Sequence, residues 1–212
     1  APRYALIVCA ETPGRIGTTS GISLFVEHDL SALETADTVI VPAWPGPEIR
    51  PPEALLEALQ RAHARGARLV GLCVGAFVLA EAGLLDGRRA STHWVFAEDF
   101  AERYPHVFLD RSVLYVDEGD VLTSAGTAAA IDCCLHLLRR DHGAETANRV
   151  ARRMVVAPHR SGGQAQYIEQ PLHKTLQGDL LKETLEWAAG NLSEPLCLDR
   201  LAAKAAMSRR NF

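Results

Sequence analysis

The sequence offers little to a metal, a membrane or a bulk polyanion. Its five cysteines, at 9, 73, 133, 134 and 197, are odd in number, lack zinc-type spacing, and include an adjacent pair inside an apolar stretch. That argues against a disulfide framework and a metal centre, and for reduced thiols in a cytoplasmic protein. No apolar run approaches the roughly 20 residues of a membrane-spanning helix, and no signal-peptide pattern opens the chain. Lysine is scarce, only Lys174, Lys182 and Lys204, and the dominance of arginine reads as codon bias. The formal net charge of −4 excludes a global nucleic-acid signature, so any DNA-binding element must be local.

What is present suits a globular protein: 212 residues, 48% hydrophobic and 23% charged, long enough for one sizeable core with a small second domain. The stretch from Leu69 to Trp94 organises the rest. A short apolar run, Ala67 to Leu72, lies between Gly66 and the Cys73-Val74-Gly75 turn, and apolar residues then recur at helical spacing through Leu85. Strand, sharp turn and helix place Cys73 where backbone N–H groups and a helix amino terminus offer positive partial charge to a thiolate or bound anion. His93, twenty residues on, is its candidate partner. Taken alone, Cys73 reads equally as a small buried hydrophobe. The string resembles the nucleophile elbow of the ThiJ/PfpI superfamily, the class I glutamine amidotransferase-like fold, with Cys73 and His93 on its cysteine and histidine positions.

The flanking sequence alternates strands and helices. Strands are expected at Tyr4–Ala10, Ile22–Val26 and Thr38–Pro42, a brief helical connector at 29–36, and a helix from Glu53 to Arg65. After the elbow come a short helix, Phe96–Tyr104, a hairpin turning at Glu118-Gly119-Asp120, and an apolar helix from Ser124 to Leu138. A further helix is expected from Asp141 to Val155, with Arg149, Arg152 and Arg153 on a solvated face. This pattern predicts an α/β fold with a mainly parallel sheet sandwiched by helices, flavodoxin-like in the ThiJ/PfpI manner. Ligands of such sheets sit beyond the carboxyl ends of the strands, so Trp44, Cys73, Val74, His93 and Ser124 are the expected pocket residues. Helix capping is the competing role for Ser124 and Thr127. The resemblance implies that Cys73 and His93 would be the catalytic pair if activity were retained, with the Val74 and Trp44 N–H groups stabilising an anion. Members of that superfamily usually begin with a strand and helix, carrying the acid that pairs with the elbow cysteine, ahead of what is read here as the first strand; that unit is expected to be missing from the 1–158 domain. No metal and no cofactor are expected.

Residues 157–171 read as a linker by composition, but Pro158-His-Arg-x-Gly-Gly-Gln-Ala-Gln166 resembles a string of AraC-type regulators whose amino-terminal half is a ThiJ/PfpI-like domain. Leu176–Ala189 reads as an amphipathic helix, Leu198–Ala205 as a short helix, Ala206-Met207 as a turn, and Ser208 as the cap of a helix beginning Arg209-Arg210. Helix, tight turn and basic helix start make a helix-turn-helix, for which a small surface helix pair is the alternative. Four basic residues against one acid between Cys197 and Phe212 give a local charge of +3. This region resembles the opening of an AraC-type DNA-binding domain, with Ser208, Arg209 and Arg210 as DNA contacts and Phe212 in the core of the recognition helix.

The expected organisation is thus a ligand-sensing domain over 1–158, a linker over 159–174, and a truncated helix-turn-helix domain over 175–212. The expected function is a DNA-binding regulator with a non-catalytic sensing domain, its partners a small-molecule effector, operator DNA and a second copy of itself. A cysteine-dependent hydrolase or hydratase and a thiol redox sensor are the alternatives.

Overall fold

The computed structural model describes residues 3–18, 21–163, 165–166, 183–184, 187–191, 196–209 and 212. They divide into two compact units, Ala1–Gln166 and Tyr167–Phe212. In the first unit the order is β1 (Gly14–Gly17), β2 (Ser23–Val26), β3 (Thr38–Val41), α1 (Glu53–Ala64), β4 (Arg68–Leu72) and α2 (Gly75–Glu81). There follow β5 (Arg89–Ala90), α3 (Ala97–Arg103), β6 (Phe108–Leu109), β7 (Tyr115–Asp117), β8 (Val121–Ser124) and α4 (Ala128–Arg153). A 3₁₀ turn, Leu30–Glu34, is capped by the Asp29 carboxylate, which accepts from the Ser31 N–H.

The central sheet has the order β3-β4-β8-β7, parallel except for β7, which pairs antiparallel with β8 as a hairpin. β4 lies inside it and is covered on both faces, which explains its unbroken apolar run. Leu69 joins a core formed with α1, α2 and α3, while Val70 and Leu72 join a second core with Leu122, Ala129, Cys133 and Leu137 beneath α4. α2 stops at Glu81 because Gly83, at φ +71°, closes it: the Gly83 N–H bonds the Ala80 carbonyl and the Leu84 N–H the Leu79 carbonyl. The apolar spacing alone carries that helix four residues too far. α4 runs through both helices expected after Ser124, broken at Gly143, whose φ of 81° and ψ of 163° are non-helical.

Tyr4–Ala10 is not the expected buried strand. Among the described residues its pairing is an isolated parallel bridge, Cys9 to His28, and Leu6 and Val8 are 87% and 57% exposed. A strand needs a hydrogen-bonding neighbour along its length, and hydropathy says nothing about that neighbour. β1 is the opposite case: Gly14-Arg-Ile-Gly17 has a single apolar residue and no strand signature, and its hairpin with β2 supplies the pairing.

The second unit contains α5 (Leu198–Lys204), closed by a turn in which Ala206 takes φ +52°. Arg200 and Lys204 both lie over the Trp187 ring, at 4.9 and 4.7 Å. The Phe212 N–H bonds the Ser208 carbonyl at 3.1 Å. Of the expected helix Leu176–Ala189, residues 183–184 and 187–189 are described and helical; the rest lies outside the described residues, as does Arg210. Among the described residues no helix is long and apolar enough to cross a membrane.

Candidate functional site

Only Cys73 and Val74 separate the end of β4 from the start of α2, so the chain must reverse sharply there. Cys73 takes φ +55°, a left-handed conformation that costs a residue with a Cβ about 1–2 kcal/mol. The flanking glycines make the turn possible: a methyl group on Gly71 would lie 3.0 Å from the Ala76 backbone, and one on Gly75 would run into the Val41 carbonyl. Gly-Leu-Cys-Val-Gly is therefore a steric requirement as well as a pattern. The Cys73 N–H donates to the Ser124 carbonyl at 2.8 Å, and its carbonyl accepts from Thr92 Oγ1 at 3.0 Å. Gly126 closes the opposite side, its α-carbon facing the Cys73 side chain. Cys73 is half-buried, and burial pushes its thiol pKa up, outweighing a hydrogen bond from the Val74 N–H that pulls it down.

Of the five expected pocket residues, Cys73, Val74 and Ser124 converge; the side chains of His93 and Trp44 are engaged elsewhere. His93 Nδ1 accepts from the Val95 N–H at 3.3 Å, capping the 3₁₀ turn Trp94–Phe96, and its ring stacks on Trp94 at 5.8 Å. Among the described residues no hydrogen bond joins His93 to Cys73. Sequence spacing brings the segment to the elbow, but Thr92, one residue earlier, makes the contact. Trp44 donates its indole N–H to the Ile49 carbonyl at 2.6 Å within its own loop. Ser124 Oγ accepts from the Gly126 N–H at 3.1 Å, so its hydroxyl closes the turn before α4 and does not cap the helix. Thr127, at φ +48°, does not cap either, because a capping hydroxyl needs an extended backbone.

Two groups of residues make contacts that no local sequence pattern signals. Ser91, Thr92, Thr123 and Ser124 are all buried, at most 1% exposed, and hydrogen-bonded: the Ser91 N–H donates to Thr123 Oγ1 at 2.8 Å and Ser91 Oγ to the Val113 carbonyl at 3.0 Å. The other group is Pro158–Gln166, the front of the expected linker, which is fastened along the first unit. Arg160 forms a two-pronged ion pair with the buried Asp132, its Nε at 3.0 and 3.1 Å from the two carboxylate oxygens. Gly162 lies so close to Tyr115 that a methyl group there would sit 2.5 Å from the Tyr115 carbonyl oxygen. Gln166 Nε2 faces the carbonyls of Val113, Arg111 and Thr92 at 2.9, 3.2 and 3.3 Å, while its Oε1 accepts from the Trp94 N–H at 3.2 Å. Only the unusual Pro-His-Arg-x-Gly-Gly-Gln-Ala-Gln string hinted at this.

This fold, a largely parallel sheet between two helical layers, recurs in known proteins. The DJ-1/PfpI family profile matches residues 4–140. The chain belongs to the DJ-1/PfpI family. Its curated relatives include two proteins of Pseudomonas aeruginosa. The HTH-type transcriptional regulator ArgR is 38% identical over 161 residues, 75% of this chain and 48% of that protein. The HTH-type transcriptional regulator CdhR is 30% identical over 212 residues, 100% of this chain and 63% of that protein. The chain thus spans about half to two thirds of the length of these regulators. A crystal structure of an AraC family transcriptional regulator from Pseudomonas putida superimposes with a TM-score of 0.59 at 27% identity, over 69% of this chain and 78% of that one. An enzyme is also similar: isonitrile hydratase of Pseudomonas putida, 29% identical over 145 residues, 68% of this chain and 62% of that protein. The DJ-1/PfpI fold explains why the elbow, Thr92 and the turn before α4 meet at the carboxyl ends of β4 and β8.

Proposed function

We propose that this DJ-1/PfpI chain is part of a cytoplasmic, homodimeric transcriptional regulator of the AraC type. Its α/β unit binds a small molecule at the Cys73 elbow, and residues from about 175 onward begin the DNA-binding domain. The observation that carries the reading is the second unit's local geometry, α5, the Ala206 turn that closes it, and the Phe212 N–H returned to the Ser208 carbonyl, in a chain whose relatives are named HTH-type regulators. Arg200 and Lys204 are turned onto Trp187, and we assign DNA contact to Ser208, Arg209 and Arg210, the basic segment that follows the Ala206 turn. A dimer suits such readers because paired half-sites match two-fold symmetry. The test is selection of bound fragments from genomic DNA by the full-length protein, followed by Arg209→Ala. We expect specific fragments to be recovered and the variant to bind them at least tenfold more weakly. Failure to enrich any sequence would refute the regulator reading.

Within this proposal the elbow holds a ligand without turning it over. A half-buried thiol with a raised pKa, unsupported by the His93 imidazole, is a poor nucleophile and a poor redox sensor. The hydratase reading has one observation on its side, the positive φ at Cys73. Alkylation of Cys73 against pH separates the two. The binding reading expects half-maximal reactivity above the free-thiol value of ~8.5 and no change in His93→Ala. A midpoint near neutrality that moves with His93 would restore the enzyme.

A further inference from the structure

The elbow and the exit of the chain from the first unit are joined by a short line of hydrogen bonds. Thr92 Oγ1 holds the Cys73 carbonyl, and the Thr92 carbonyl lies 3.3 Å from Gln166 Nε2. Gln166 Oε1 then takes the Trp94 N–H, so that one side chain grips both ends of the turn carrying His93. Its own N–H donates to the Ser112 carbonyl at 2.6 Å. Gln166 is the last residue of the first unit, and the second unit follows directly in sequence.

The chemistry of the grip matters. A primary amide carries two N–H protons and one carbonyl oxygen. Among the described residues the oxygen has one partner, the Trp94 N–H, but the two protons face three carbonyls, those of Thr92, Arg111 and Val113. Two protons cannot fully serve three acceptors, so a small displacement of any one carbonyl redistributes the set. Thr92 is the acceptor tied to the elbow, and it is fully buried, so a shift of the Cys73 turn cannot be absorbed by solvent.

We propose that Gln166 is the coupling residue of this protein: it reads the position of the Thr92-His93-Trp94 turn, set by what occupies the Cys73 elbow, and passes it to the chain leading into the second unit. This rests on the reading of the elbow as the ligand site. Arg160, by contrast, anchors the same segment on Asp132 of α4.

The test uses the full-length protein with no DNA present. It measures iodoacetamide alkylation of the Cys73-containing peptide by mass spectrometry, and hydrogen exchange of the Leu114 and Gln166 amides. In Gln166→Glu, which keeps the shape and the acceptor but removes both donors, Cys73 alkylation is expected to rise at least fivefold. In Arg160→Ala, which loosens the segment without touching the turn, the rate should stay within twofold. In the reverse direction Thr92→Val should raise exchange at Gln166 and Leu114 at least fivefold, and Thr92→Ser, which keeps the hydroxyl, should restore wild-type protection. Should Thr92→Val not fold, the Gln166→Glu and Arg160→Ala pair decides alone. Equal alkylation in wild type and Gln166→Glu, or an equal rise in Arg160→Ala, overturns the proposal. None of these readouts depends on operator binding, so the coupling and the regulator reading fail separately.

Discussion

Gly126→Ala is the most direct probe of the elbow, because two independent costs fall on one methyl group. The first is conformational: Gly126 sits at φ +80°, where a residue with a Cβ is strained by about 1–2 kcal/mol. The second is steric: the new methyl would lie 2.7 Å from Cys73 Sγ and 2.9 Å from its Cα, and closer still to its Cβ. Overpacking of that kind costs about 1–3 kcal/mol when neighbours cannot move. Cys73 cannot, since its backbone is fixed by bonds to Ser124 and Thr92. Together they predict a loss of about 2–5 kcal/mol, read as a fall in the urea midpoint at unchanged m-value. The cycle with Cys73→Gly separates the two costs, because removing the Cys73 side chain relieves the clash and leaves the strain at position 126. The double variant should therefore recover about 1–3 kcal/mol relative to the sum of the single changes. A Gly126→Ala loss below 1 kcal/mol, or strict additivity in the cycle, would refute the close approach of the two segments.

Three further outcomes are expected. Arg160→Ala strands the Asp132 carboxylate, which is only 7% exposed, and should cost about 2–3 kcal/mol in urea denaturation; Arg160→Lys should recover little, because an ammonium cannot reproduce the two-pronged contact. Asp120 and Asp141 are held below the ordinary carboxylate range by Arg88 and Arg68 respectively. Their folded pKa values lie under the unfolded value of ~3.9, so their contribution is complete above that pH and is lost as pH falls through the folded values. The urea midpoint should accordingly decline below about pH 4, with a shallower decline in Arg88→Ala and Arg68→Ala. Tyr104 is pushed up to about 12 by burial and by its hydrogen bond to Glu81; Glu81→Gln should lower it, which ultraviolet titration of tyrosinate reads directly.

The parts of the fold that could be read in the sequence are those in which a local pattern and its tertiary use coincide. β3, α1, β4 and the β7-β8 hairpin were all legible because each apolar run is both the element's own signature and its buried face. Tyr4–Ala10 failed that match: it carries the run without a neighbour to pair with along its length. The elbow was legible because its constraint is steric and local, a left-handed Cys73 between two glycines that admit no Cβ. His93 was only half legible. Spacing brings its segment to the elbow, but whether an imidazole turns inward or stacks on the next residue depends on Trp94, Phe96 and the Val95 N–H, which spacing does not encode. Gln166 was illegible from composition, since a glycine- and glutamine-rich segment reads as solvated linker. Its role comes from three carbonyls contributed by residues 53 to 74 positions earlier.

The elbow's strain bears on function from another side. Left-handed Cys73 and left-handed Thr127, at φ +55° and +48°, flank the same turn region, and each costs of order 1–3 kcal/mol that the surroundings must offset. In a cysteine hydrolase such strain lifts the sulfur toward substrate and toward a base. Here the sulfur is half-buried, burial raises its pKa, and the histidine is turned onto its aromatic neighbours. What the strain does secure is the backbone: the Cys73 N–H and carbonyl are both directed at the buried Ser124 and Thr92. A glycine at position 73 would relieve the strain and still make those two backbone bonds. Cys73→Gly should therefore keep the fold and the exchange protection of Gln166 while losing whatever contact the thiol makes to ligand. Cys73→Ala, which retains the strain and lacks the sulfur, should be the less stable of the two by up to about 1 kcal/mol in urea denaturation. Equal stability would mean that the left-handed turn is not imposed by the fold around it.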